Sequence, residues 1–99
     1  MFCYHITLEV KKYKVEEMLD NLNTFSDQFR SERGCQGYHI FRECDKSGSF
    51  RLVGEWQTYL AMKQHFQTDN FKILIGAIKV LCETSEVLTA ETVSLSKAS

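Results

Sequence analysis

The sequence has no proline. No residue in it fixes the backbone into a rigid loop or interrupts a helix or strand by removing a donor. It has four cysteines, Cys3, Cys35, Cys44 and Cys82, but no two of them form a CxxC pair. Their spacings fit no disulfide framework and lack the signature of a Cys/His zinc site, so free thiols of a cytoplasmic protein, and no metal, are expected. Charge of one sign is missing too: 12 basic and 13 acidic residues leave a net charge of −1, with no basic block. That lacks the footprint of a nucleic-acid binder. No apolar run approaches the ~20 residues a membrane span needs. The N-terminus, MFCYHITLEVKK, goes straight into an alternating pattern with no basic region before an apolar stretch, so no signal peptide is expected.

What remains is the composition of an ordinary globular domain, 43% apolar and 25% charged over 99 residues. We expect one domain over residues 1–95 and a flexible tail, SKAS, at 96–99. A chain of this size buries roughly 65% of the surface its unfolded form exposes. That supports one modest core, which a partner subunit would help.

The period of the apolar residues changes along the chain. Phe2, Tyr4, Ile6, Leu8 and Val10 alternate with Cys3, His5, Thr7 and Glu9, the pattern of a strand. Val15, Met18, Leu19, Leu22, Phe25 and Phe29 form one stripe of a helix over 15–29, which Gly34 is placed to terminate. Strand-like runs at 35–43 and 49–57 are joined by CDKSG, a short hairpin loop. Thr58 can cap a short helix reaching about Gln67. Asp69 can cap a second, with Phe71, Leu74, Ile75, Ile78, Leu81 and Cys82 as its stripe. Residues 86–95, EVLTAETVSL, are rich in β-branched residues and read as a last strand. The order is that of an α+β, ferredoxin-like split βαβ fold, with an antiparallel sheet carrying helices on one face. The other face keeps apolar groups, Phe41 and Val53 among them, and so calls for another surface.

Three stretches, ERGCQGYHIFR at 32–42, FRLVGEW at 50–56 and HFQTDNF at 65–71, resemble the antibiotic biosynthesis monooxygenase (ABM) domain family of the dimeric α+β barrel superfamily. The shared features are a turn into a strand, a strand ending in EW, and a histidine one helix later, before a short loop and an aromatic. The resemblance implies a homodimer. It also implies a small enzyme that oxidises an aromatic or quinol-like molecule with dioxygen and needs no cofactor. Relatives with other chemistry leave two alternatives, a non-oxidative, isomerase-like enzyme on a small signal molecule and a non-catalytic small-molecule-binding domain. Fold alone does not choose among them.

Two residues are candidates for catalysis. Trp56 shares a strand face with Phe50 and Leu52 and so looks toward the helices. It is either a core tryptophan or, as in polyketide-oxidising relatives, a pocket residue that stacks on substrate and donates its indole N–H. His65 matches a histidine at this place in the family. It is either a helix-end histidine bonded to nearby backbone or a base for a phenolic proton, with an ordinary pKa near neutrality. Tyr4 and Tyr38 lie on apolar strand faces, where either hydroxyl could orient a ligand. With Leu52 and Met62 they make up the expected substrate-binding set. At Met62 some polyketide-oxidising relatives carry tyrosine, a departure that weakens transfer of their mechanism. His5, His39 and Glu55 fall on the opposite sheet face. Haem-degrading relatives use an asparagine in the first strand, a tryptophan and a histidine. The first strand here has no asparagine, and the other two positions are His65 and Ile75, so no haem chemistry is expected. Trp56 and His65 are expected to face one cleft between sheet and helices.

Overall fold

A computed structural model describes residues 1–91. Strand β1 (Phe2–Val10) leads through a single 3-10 turn (Lys12–Lys14) into α1 (Val15–Arg30). The hairpin β2 (Cys35–Arg42) and β3 (Ser49–Trp56) follows, then α2 (Tyr59–Phe66), α3 (Asp69–Leu81) and β4 (Cys82–Glu91). The strands form one antiparallel sheet in the order β2-β3-β1-β4. This is the α+β, ferredoxin-like fold, with Tyr4, Ile6, Leu8, Tyr38, Phe50, Leu52 and Trp56 buried under the helices.

Alternation sets the faces. Directly opposed residues of an antiparallel pair point to the same side. Tyr38, Gly54 and Tyr4 therefore form one row across the inner face, and Ile40, Leu52 and Ile6 the next. From α1, Met18, Leu22, Phe25 and Phe29 close over these rows, and from α3, Phe71, Leu74, Ile78 and Leu81 do so. The opposite face carries His39, Val53, His5 and Leu88 in one row, with Phe41 56% exposed beside it.

Several boundaries differ from those read off the sequence. Helix α1 stops at Arg30, because the N–H groups of Ser31 and Glu32 already close its last turn on Gln28 and Phe29. Gly34 lies beyond it, at φ +85°, where it turns the chain into β2. A Cβ there would also come 2.6 Å from Ala61 Cβ, so the glycine lets α2 pack close. Thr68, not Asp69, caps α3, with its hydroxyl accepting from the Phe71 N–H. Cys82 is the first residue of β4, which begins four residues earlier than expected and pairs with β1 along its length. The rest of the expected last strand, and the 96–99 tail, lie outside the described residues. Thr58 does cap α2, accepting from the Ala61 N–H.

Candidate active site

Three elements bring one cluster together. Alternation on β1 aims Tyr4 inward, and alternation on β2 does the same for Tyr38. Helix α2, started by Thr58, presents His65 from its last turn. The Tyr4 hydroxyl lies 2.7 Å from His65 Nε2 and 3.0 Å from the Tyr38 hydroxyl. On its other side, His65 Nδ1 lies 2.9 Å from Glu32 Oε1. The histidine is thus bonded through both nitrogens to side chains rather than to backbone. Its backbone carbonyl in turn accepts from the Thr68 hydroxyl at 2.8 Å, which ties the end of α2 to the start of α3.

The surroundings of His65 are aromatic. Its ring centroid lies 4.4 Å from that of Trp56, 4.6 Å from Phe29 in an edge-to-face arrangement and 4.9 Å from Phe71. Such walls solvate a cation poorly, and burial pushes the His65 pKa down to about 4. Burial also pushes Glu32 up to about 7. Tyr4 and Tyr38 are raised above the ordinary tyrosine range, again chiefly by burial. Near neutrality the imidazole is therefore a neutral ring with one lone pair.

Trp56 is wholly buried, and its indole N–H has no hydrogen-bond partner among the described residues. A buried donor without a partner costs ~1–3 kcal/mol, and such groups in native proteins repay an explanation. Leu52 and Met62 are buried in the same core, so all six expected site residues lie in one interior region. The structure brings Trp56 and His65 into ring contact but differs from the expected cleft: the space between sheet and α2 is filled by these side chains themselves. The described cavities lie elsewhere. One of 330 Å³ runs along the outside of α2, lined by Gly34, Thr58, Ala61 and Gln64 among others, and one of 460 Å³ is on the opposite sheet face.

Glu32 opens the ERGC turn that carries part of the family resemblance, but it was not among the expected site residues. It sits outside any helix or strand, between Ser31 and Arg33, in a polar run that reads as a solvated turn. Only the fold carries it to an imidazole 33 residues away. Its place is secured by Arg30, whose Nε and Nη2 both donate to the Tyr38 carbonyl, at 3.1 and 2.9 Å, and so fasten the end of α1 to β2. His39 and Glu55 pair at 2.9 Å on the opposite face, as their strand positions require.

A buried histidine is thus held between a carboxylate and a phenol, in ring contact with a tryptophan, on a small α+β sheet. The chain belongs to the antibiotic biosynthesis monooxygenase family, which its residues 1–75 match. It is 28% identical over 74 residues to the Bacillus subtilis (strain 168) protein YcnE, named as a candidate monooxygenase, over 75% of this chain and 78% of that one. An uncharacterised Synechocystis protein is 34% identical over 64 residues, 65% of this chain. That match spans only 44% of the Synechocystis protein's length. Solved structures share the fold. A Deinococcus radiodurans protein, described as an antibiotic biosynthesis monooxygenase candidate, superposes with a TM-score of 0.89 at 22% identity, over 95% of this chain and 94% of that one. One from Nitrosomonas europaea does so with a TM-score of 0.87 at 17% identity, over 95% of this chain and all of its own. Among the described residues no helix is long and apolar enough to cross a membrane, and no group of three or more His, Cys, Asp or Glu side chains could hold a metal.

Proposed function

We propose that this protein is a monooxygenase that oxidises a small aromatic or quinol-like molecule with dioxygen, using its own side chains rather than a bound cofactor. The observation that supports it is the Tyr4–His65–Glu32 chain beside the unpartnered indole N–H of Trp56. A phenolic substrate offers what this arrangement lacks, an oxygen for the indole to donate to and a proton for the neutral imidazole to receive. Losing that proton leaves an electron-rich anion, the species that passes an electron to dioxygen. Trp56 binds and His65 acts as base. Tyr4 and Tyr38 orient the substrate or carry its proton, and Leu52 and Met62 wall the site. The site is closed in this structure, with Trp56 and His65 both buried. A second reading, a non-catalytic small-molecule-binding domain, has one observation in its favour. The hydroxyls of Tyr4 and Tyr38 and both ring nitrogens of His65 already have protein partners. The working form is proposed to be a cytoplasmic homodimer, consistent with four free thiols and an apolar outer sheet face.

The test is oxygen consumption by wild type, Trp56→Phe and His65→Ala with a panel of hydroquinones, anthrones and naphthols between pH 6 and 9. Loss of the base should lower the rate about 10²–10⁴-fold, with partial recovery at high pH, where the substrate ionises unaided. Trp56→Phe should not be rescued by pH, since it removes the indole donor and leaves a smaller stacking surface. Full activity in Trp56→Phe with none in His65→Ala even at pH 9 would overturn these roles. A wild type that consumes no oxygen with any of the panel would put the binding reading first.

A further inference from the structure

We propose that Glu32 is the outer terminus of a proton relay running Tyr38–Tyr4–His65–Glu32, and that it decides which nitrogen of His65 carries hydrogen. The relay's geometry stands by itself, while its use on a substrate rests on the oxidative reading above.

The argument is a count of protons. The four side chains are joined in sequence by contacts of 3.0, 2.7 and 2.9 Å. As a carboxylate Glu32 can only accept, so His65 Nδ1 must hold a hydrogen and donate it. Nε2 is then a lone pair and accepts from the Tyr4 hydroxyl. Tyr4 has spent its single proton, so in this order the Tyr38 hydroxyl donates to it, the reverse of the Tyr4-to-Tyr38 direction in the structure, and keeps its own oxygen free to accept. Adding one proton to the Glu32–His65 pair reverses this order. Nε2 then carries hydrogen and donates to Tyr4, and Tyr4 donates to Tyr38. The chain thus has two directions, and the protonation of one carboxylate selects between them.

In the first direction the chain can take a proton. A substrate O–H donates to the Tyr38 oxygen as Tyr38 passes its own proton to Tyr4, Tyr4 passes its proton to Nε2, and Nδ1–H passes to Glu32. One O–H bond of the substrate is broken and one O–H bond forms on Glu32. The substrate is left as the anion, with no charge stranded on the tyrosines or the imidazole. Glu32 can return the proton to water, because its side chain is 19% exposed whereas that of His65 is fully covered.

Other groups bear on the Glu32 proton. His65 faces it from α2, Tyr4 from β1, and Cys35 and Tyr38 from β2, while Glu55 of β3 acts on Cys35. Arg30 of α1 is a fixed cation near Cys35, bonded to Asp27 and to the Tyr38 carbonyl. Burial holds the two tyrosines and Cys35 in their neutral forms near pH 7. The proton that comes and goes is therefore that of the Glu32–His65 pair, and burial places the Glu32 transition at about 7.

The experiment is ¹⁵N NMR of His65 in the full chain between pH 5.5 and 8.5, which reports each ring nitrogen as protonated or not. In wild type, Nε2 should change from unprotonated to protonated as the pH falls through about 7. In Glu32→Gln the side chain cannot titrate, so one tautomer should persist across the range. Glu32→Asp, which keeps the carboxylate, should restore the change. An Nε2 that stays the same throughout in wild type, or that switches alike in Glu32→Gln, would overturn the proposal. Wild type and Glu32→Asp carry the test should Glu32→Gln fail to fold. Oxygen uptake read in parallel separates the two readings. A rate that rises through pH 7 in wild type and is flat in Glu32→Gln supports both. A tautomer change without any oxygen uptake supports the relay and removes the oxidative reading.

Discussion

Gly54 is the residue that lets two buried tyrosines share one row of the sheet. A Cβ at this position would lie 2.7 Å from Tyr4 Cε1 and 3.1 Å from Tyr38 Cε2, so any side chain here would push apart the two hydroxyls that feed His65. The part-buried Glu32–His65 pair beyond them has a signature in stability. Glu32, with its pKa raised from 4.5 to about 7, prefers to be protonated in the folded state. Its contribution is present below pH 4.5 and lost as pH rises through about 7. His65, lowered from 6.5 to about 4, prefers to be neutral, so its contribution is present above pH 6.5 and lost as pH falls through about 4. The two slopes oppose each other between pH 4.5 and 6.5. Urea midpoints of wild type should therefore be nearly flat across that window. Those of Glu32→Gln should rise with pH, because only the histidine still titrates. Matching profiles for the two proteins would refute this account. At this scale Trp56 and His65 were legible in the sequence, since each combines a position on an inward face with a side chain able to do chemistry. Glu32 was not, because a carboxylate in a charged turn looks the same whether or not a histidine folds onto it.

Helix caps decide where α2 and α3 begin, and through them where His65 sits. Thr58 and Thr68 each stand in extended conformation just before a helix and accept from the N–H three residues on. Thr68 also donates to the His65 carbonyl. Thr68→Ala therefore loses a cap and an inter-helix bond together. We expect a loss of about 1–2 kcal/mol, the range for N-cap removal, and Thr68→Ser should keep most of it. Thermal unfolding is a sensitive measure, since ~1 kcal/mol shifts the Tm of a domain this size by ~4–8 °C. A Tm for Thr68→Ala within a degree of wild type would show that the cap is dispensable. The sequence offered Asp69 as the cap because Thr and Asp are both good acceptors there. The backbone chose between them, since only residue 68 has the extended φ and ψ of a cap. The early start of β4 has a similar cause. CETS carries little strand signal of its own, and pairing with β1 extends the strand through it.

Across the whole molecule, one sheet face is covered by helices and the other is bare. On the bare face Phe41 and Leu88 are 56% and 58% exposed, and they flank a groove lined by His5, Thr7, Arg51 and Val53. We expect two copies to pack through this face and to bury roughly 2,000 Å² or more in total, as stable homodimers do. Light scattering should give twice the monomer mass at micromolar concentration, and Phe41→Glu with Leu88→Asp should lower it toward the monomer. A monomeric wild type would sink the prediction. The sequence by itself determined the order of elements, the inward and outward faces of the first three strands and which side chains were candidates for the site. Those follow from periods of two and 3.6 residues and from side-chain type, both of which are local. Only the tertiary structure decided that Tyr4, Tyr38, His65 and Glu32 form one chain and that the space around Trp56 is closed. These depend on contacts between residues 33 to 61 positions apart, which no local period encodes, and on how tightly the helices seat on the sheet.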